Sequence, residues 1–208
     1  MSSEESKSIP TPTCLKKLVS NDAGKQALFD LGIELVCTPD KVPFISEDDY
    51  FGYESGGEYA ELYNFCWDGS GGGFHIWNLA TVNPVVFIGS EGERAKLGAS
   101  VEDFLQVTCS LQPCIMDVIS SLPLAGGIDD ETDMNKATAA EMRMAEMIQS
   151  VERNQNESNE DSEGSQLEAA RLVLDTIVRP VLSIPEALEK VLAAHLSKPR
   201  FNPQPEDD

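Results

Sequence analysis

Residues 64–77, NFCWDGSGGGFHIW, bring a thiol, a carboxylate, a hydroxyl and an imidazole into one short stretch: Cys66, Asp68, Ser70 and His75. Those are the parts of a nucleophilic site. In a Cys66/His75 dyad the imidazole would take the thiol proton and leave a thiolate to attack a carbonyl. Such a cysteine needs a depressed pKa, which a helix N-terminus supplies. Cys66 instead ends an alternating, strand-like run, EYAELYNFCW. A serine nucleophile fares no better, because the G-x-S-x-G elbow would need glycine at position 68, where the chain has aspartate. The glycines 69–73 could cradle a phosphate, but no lysine and no helical pattern follow them. A hairpin accounts for every residue of the stretch: Asp-Gly favours positive φ, and the remaining glycines allow a longer or bulged loop. The expectation is a turn, with no catalytic residues and no enzyme activity.

Metal and cofactor chemistry are equally unsupported. The two histidines, His75 and His195, lie 120 positions apart in the chain. The five cysteines, at 14, 37, 66, 109 and 114, contain no CxxC pair. Asp129–Asp133 opens like a calcium loop, yet its sixth position is Met134 and its twelfth Ala140. No metal and no cofactor are expected.

The elements that must hold these residues follow from pattern. Leu15, Leu18 and Val19 share one helical face, and a second helix begins near Asp22 and ends at Gly32. Ile33–Thr38 reads as a strand. EYAELYNFCW, GFHIWNL and PVVFIG then read as three strands joined by short turns, an antiparallel meander. Ser100 caps a helix carrying Val101, Phe104, Leu105, Thr108 and Leu111. Cys114–Leu124 reads as a further short buried helix, and about 136–151 as a longer one. Ser183 and Glu186 form a capping box for a last helix with Leu188, Val191, Leu192 and Leu196. The fold class expected is α+β: an antiparallel sheet with flanking helices, followed by C-terminal helices. The chain is expected to divide into a disordered leader (1–12), an α+β domain (13–125), a helical extension (126–151), a disordered acidic linker (152–166), a C-terminal helical segment (167–198) and a disordered tail (199–208).

Charge narrows the function. Thirty-six acidic residues against fifteen basic ones leave a net −21. Phosphate backbones and anionic membranes repel such a chain, so nucleic acid and membrane are excluded as partners and a basic protein is favoured. No signal peptide and no apolar run of membrane-spanning length is visible, so a cytoplasmic location is expected. Residues 40–62 concentrate seven carboxylates against Lys41 alone, interleaved with Phe44, Tyr50, Phe51 and Tyr53.

The order of parts also carries a resemblance. An aromatic strand, an Asp-Gly hairpin, the apolar strand Pro84–Gly89, the acidic link Glu91-Gly92-Glu93 and the helix opening Ala99-Ser100-Val101-Glu102-Asp103-Phe104-Leu105 resemble the SUKH superfamily of Smi/Knr-like immunity and scaffold proteins. The resemblance spans roughly residues 13–120 and rests mainly on 59–107. It implies an α+β fold used for protein binding. Many bacterial members are immunity proteins that neutralise toxins, often nucleases or deaminases, and eukaryotic members are regulatory scaffolds. On that basis Glu47, Asp48, Asp49 and Glu54 are expected to meet basic side chains of a toxin, with Tyr50, Phe51 and Tyr53 as anchors. The alternative is a scaffold that docks partners through its C-terminal helices.

Overall fold

The computed structural model describes residues 8–44, 62–79, 81–90, 93–112, 115–122, 149 and 160–197. The fold is α+β. A five-stranded antiparallel sheet is formed by β2 (Glu34–Leu35), β4 (Leu62–Trp67), β5 (Gly73–Trp77), β6 (Val85–Ile88) and β7 (Arg94–Gly98), in the order β2-β4-β5-β6-β7. A two-stranded sheet pairs β1 (Ser8–Pro10) with β3 (Lys41–Pro43). The helices are α1 (Thr13–Val19), α2 (Asp22–Asp30), α3 (Val101–Ser110), α4 (Ile115–Ser121), α5 (Glu160–Ile177) and α6 (Ile184–Leu196). None of the described helices is long and apolar enough to cross a membrane.

The expected meander is present as β4, β5 and β6, with consecutive antiparallel registers. Period-2 alternation sends Phe65, Phe74, Ile76, Val85 and Phe87 to one face, where they meet Leu15 and Leu18 of α1, Leu28 of α2 and Phe104 of α3 in one core. Phe74 stacks against Phe87 and Phe104 with ring centroids 5.0 and 4.9 Å apart, and Phe65 meets Phe104 edge-on at 5.6 Å. Such pairs contribute about 0.5–1.5 kcal/mol each beyond the area they bury. Ser100 caps α3 as its sequence implies, its Oγ accepting the Asp103 N–H at 3.1 Å.

Four expectations are corrected. The leader reading of 1–12 fails at Ser8–Pro10, which pair with Lys41–Pro43 as a strand. The extended segment 33–38 is a ladder strand only at Glu34–Leu35. The link at 91–93 does not lead straight into a helix, because β7 intervenes and forms the edge of the sheet. The acidic linker reading of 152–166 fails from Glu160 onward, where α5 already runs. The amphipathic stripe beyond Leu167 lets the helix extend back through that polar stretch. Residues 152–159, the leader's first seven and nearly all of the helix expected over 136–151 lie outside the described residues.

The C-terminal helices belong to the same core as the sheet. Ala169, Ala170, Val173, Leu174 and Ile177 of α5 and Ala187, Leu188, Val191 and Leu192 of α6 are buried in it. A polar seam reinforces the contact: Gln106 Nε2 donates to Pro180 O at 2.9 Å, and Ser110 Oγ accepts the Leu182 N–H at 3.0 Å. Between the two helices Val178 sits at φ 59, a left-handed conformation that costs a β-branched residue about 1–2 kcal/mol. It ends α5 where glycine is the usual residue.

Candidate functional site

The hairpin between β4 and β5 gathers the residues with the most chemistry, and each has a structural task. Asp68 Oδ1 accepts the N–H groups of Ser70 and Gly72 at 2.9 and 2.8 Å, while its Oδ2 accepts the Ser70 hydroxyl at 2.7 Å. The carboxylate therefore substitutes for a ladder partner inside the turn. Gly69 and Gly71 take positive φ, 75 and 99. A side chain at Gly72 would put its Cβ 2.6 Å from the Phe87 ring. The serine hydroxyl thus serves a turn aspartate.

Cys66 and His75 share the hairpin but not a face. Cys66 pairs with Phe74 and His75 with Asn64, and a bulge between Asn64 and Cys66 shifts the register by one residue. Cys66 consequently joins Phe65 and Phe74 in the main core, fully buried. Burial raises its thiol pKa well above the ordinary range, with Cys37 and Asp68 adding to the effect. His75 occupies the opposite side, and burial lowers its pKa to about 3. A buried thiol and a neutral imidazole separated by a sheet do not form a dyad. The other described thiols are similarly raised by burial, Cys14 and Cys109 to about 12 and Cys37 to about 11.

The second face of the sheet holds the most unusual chemistry in the described residues. Asn64, His75, Val86 and Lys96 lie in one register row across β4, β5, β6 and β7. All four are almost completely removed from water, the polar three at 2, 0 and 3% exposure. Trp77 and Ile88 join Val86 in a small apolar cluster, with Leu62 and Leu79 at its margin, and Trp67 meets His75 edge-on at 6.4 Å. Among the described residues neither Asn64 Oδ1 nor Nδ2 has a hydrogen-bond partner. Burial lowers Lys96 to about 8. The chain's second histidine arrives here from α6: His195 Nδ1 accepts the Lys96 N–H at 3.4 Å, and Lys96 Nζ donates to Ser197 O.

Beside that junction Asp103 and Lys190 form an ion pair at 3.4 Å, and Lys190 also donates to Gln106 Oε1 at 3.0 Å. They border a cavity of about 280 Å³ between α3, α6 and β7 whose walls are Leu97, Val107, Ala193 and other small side chains. A second cavity, about 360 Å³, opens at the hairpin end between Ser70, Ser90, Glu93 and Met116. No group of three or more side chains able to hold a metal ion is found among the described residues.

The contact residues read from the sequence, Glu47, Asp48, Asp49, Tyr50, Phe51, Tyr53 and Glu54, all lie outside the described residues. Their charge still bears on the frame. The described residues include nine basic and sixteen acidic side chains, so they account for −7 of the net −21. Residues 45–61 alone carry six carboxylates and no basic residue. The Lys96–His195 junction was not legible, because it joins positions 99 apart with no local signal. The alternation of β7 gave a hint, with Arg94 and Lys96 on one side and Ala95 and Leu97 on the other. Comparisons with protein-family models, curated proteins and solved structures find no match to this chain.

Proposed function

We propose that this chain is a non-catalytic protein-binding domain whose acid- and aromatic-rich stretch, residues 45–61, engages a basic protein. Local composition carries the reading: residues 45–61 hold six carboxylates, four aromatic rings and no basic residue, whereas the described residues mix sixteen acidic with nine basic side chains. Carboxylates would meet lysine and arginine side chains, and Tyr50, Phe51 and Tyr53 would supply the desolvated anchors. An immunity protein that neutralises a basic toxin, such as a nuclease or deaminase, has this chemistry, since an acidic surface imitates the phosphates such an enzyme binds. Cytoplasmic residence fits that role, and nucleic acid is not a ligand in it.

The test is capture from lysate of the native cell at low salt, with elution in salt steps and mass spectrometry of what is released. A single basic protein, toxic when expressed alone and neutralised by this chain, is the expected result. Alanine at Asp48 and Asp49 together should then weaken binding and flatten its dependence on salt. Unchanged affinity would remove residues 45–61 from the reading.

A regulatory scaffold that docks partners through its C-terminal helices is the second reading. The exposed Leu167, Leu172, Val178 and Val181 of α5 and the turn beyond it favour it. Deleting residues 152–208 cannot separate the two readings, because α5 and α6 supply part of the core. Leu167→Glu with Leu172→Glu, both on the exposed side, tests the scaffold while leaving the buried stripe intact.

A further inference from the structure

Lys96 fastens the last turn of α6 to the sheet by two bonds, and one of them ends on an imidazole. Among the described residues β7 is an edge strand, so its outward N–H and C=O groups would be open to a further strand unless something covers them. The outward N–H of Lys96 is taken by His195 Nδ1 at 3.4 Å, and the Lys96 ammonium holds Ser197 O two residues on. His195 therefore stands where the carbonyl of a neighbouring strand would stand. Unlike a carbonyl, an imidazole nitrogen can take up a proton, and it does so most readily once the turn has opened and exposed it to water. The joint is dry, with Lys96 and His195 at 3 and 6% exposure, so water does not readily replace a lost partner.

We propose that His195 is a pH-operated latch: with Nδ1 unprotonated it holds the end of α6 against β7, and with Nδ1 protonated it releases that turn and uncovers the edge of the sheet. On protonation a solvent proton bonds to Nδ1, and the acceptor becomes an N–H directed at the N–H of Lys96. The imidazolium also stands near the Lys96 side chain, so the joint gains a second positive charge. The charged groups of the elements packed here are Arg94 and Lys96 on β7, Glu102 and Asp103 on α3, and Glu186, Glu189 and Lys190 on α6. Glu102 interacts with Cys14 on α1. Glu186 is engaged at the far end of α6 by the N–H and hydroxyl of Ser183. Asp103 is taken by Lys190 and by the Ser100 hydroxyl. Across the His195 bond itself lies Lys96.

Two other titrations are separable from this one. Burial lowers Lys96 to about 8, so on acidification its charge is already complete near neutrality. His75 sits inside the sheet, and its titration acts on the whole domain. The latch is local to α6 and β7, and it does not depend on the identity of the partner.

The experiment is amide hydrogen exchange on the full chain at pH 7.5 and pH 5.5, corrected for intrinsic rates and read at Lys96 and at residues 191–197. Protection there should fall on acidification by up to about tenfold per pH unit, relative to α3 and β5. His195→Asn places a permanent acceptor close to the position of Nδ1, and protection in that variant should be equal at both pH values. Equal protection at both pH values in the wild-type chain would overturn the latch. So would an acid-induced loss that persists in His195→Asn. Should that variant not fold, NMR titration of the wild-type imidazole decides: protonation of His195 with unchanged α6 protection refutes the proposal, and coincident changes support it.

Discussion

Phe74 and His75 are neighbours on β5, equally buried, and they face opposite sides of one sheet. On the Phe74 side the strands contribute apolar groups to a core closed by all six described helices. On the His75 side an apolar cluster of Trp77, Val86 and Ile88 is interrupted by Asn64, His75 and Lys96. Burial is the same on both sides, but its energetic meaning is not. Removing an apolar side chain from water stabilises the fold, whereas removing an amide, an imidazole or an ammonium costs free energy that hydrogen bonds must offset. The core face is therefore where stability resides, and the second face is where stability answers to pH.

The largest effect expected comes from attacking the core face. Phe74→Ala removes a ring that touches both Phe87 and Phe104 and leaves a cavity among helices that cannot collapse around it. It should cost about 3–5 kcal/mol, by denaturant unfolding, and by the same amount at pH 8 and pH 6. A loss under about 1 kcal/mol would abolish the distinction between the two faces.

One residue further along, the expected effect is smaller and depends on pH. Burial holds His75 at about 3, against 6.5 for an ordinary histidine. Between those values the unfolded chain binds a proton that the folded chain does not, so stability is intact above pH 6.5 and is lost as pH falls. The slope is one proton, or about 1.4 kcal/mol per pH unit, which amounts to roughly 2 kcal/mol between pH 6.5 and pH 5. His75→Gln should reduce the measured slope by that one proton. An unchanged slope in the variant would show that His75 charges inside the folded sheet.

The contrast between faces also marks how far the sequence could be read. Local rules were sufficient for the hairpin, since Asp68-Gly69 and the period-2 aromatics on either side specify the turn that Asp68 closes. They were sufficient for the caps at Ser100 and Ser183 as well. They failed where tertiary burial overrides composition. RAKLG in β7 alternates charged with apolar residues, the pattern of a strand with one face in water, yet Lys96 is buried. The polar start of α5 reads as linker, because the apolar stripe that propagates the helix begins only at Leu167. Alternation specifies that two faces exist, and it cannot specify that both are covered.

Asn64 offers the finest test, because the expected effect is small and opposite in sign to the first. It is buried beside His75, and among the described residues its side-chain oxygen and nitrogen have no hydrogen-bond partner. A buried, unpaired amide costs about 1–3 kcal/mol, and leucine has a similar volume without that cost. Leu62 on the same strand and Trp77 across from it supply an apolar border. Asn64→Leu should therefore stabilise the domain by about 1–2 kcal/mol, seen as a higher denaturation midpoint with an unchanged slope. The same change at Phe65, from a core aromatic to leucine, should destabilise it. A destabilised Asn64→Leu variant would mean that the amide has a polar partner within the fold, and that the second face is held together by polar contacts as well as by burial.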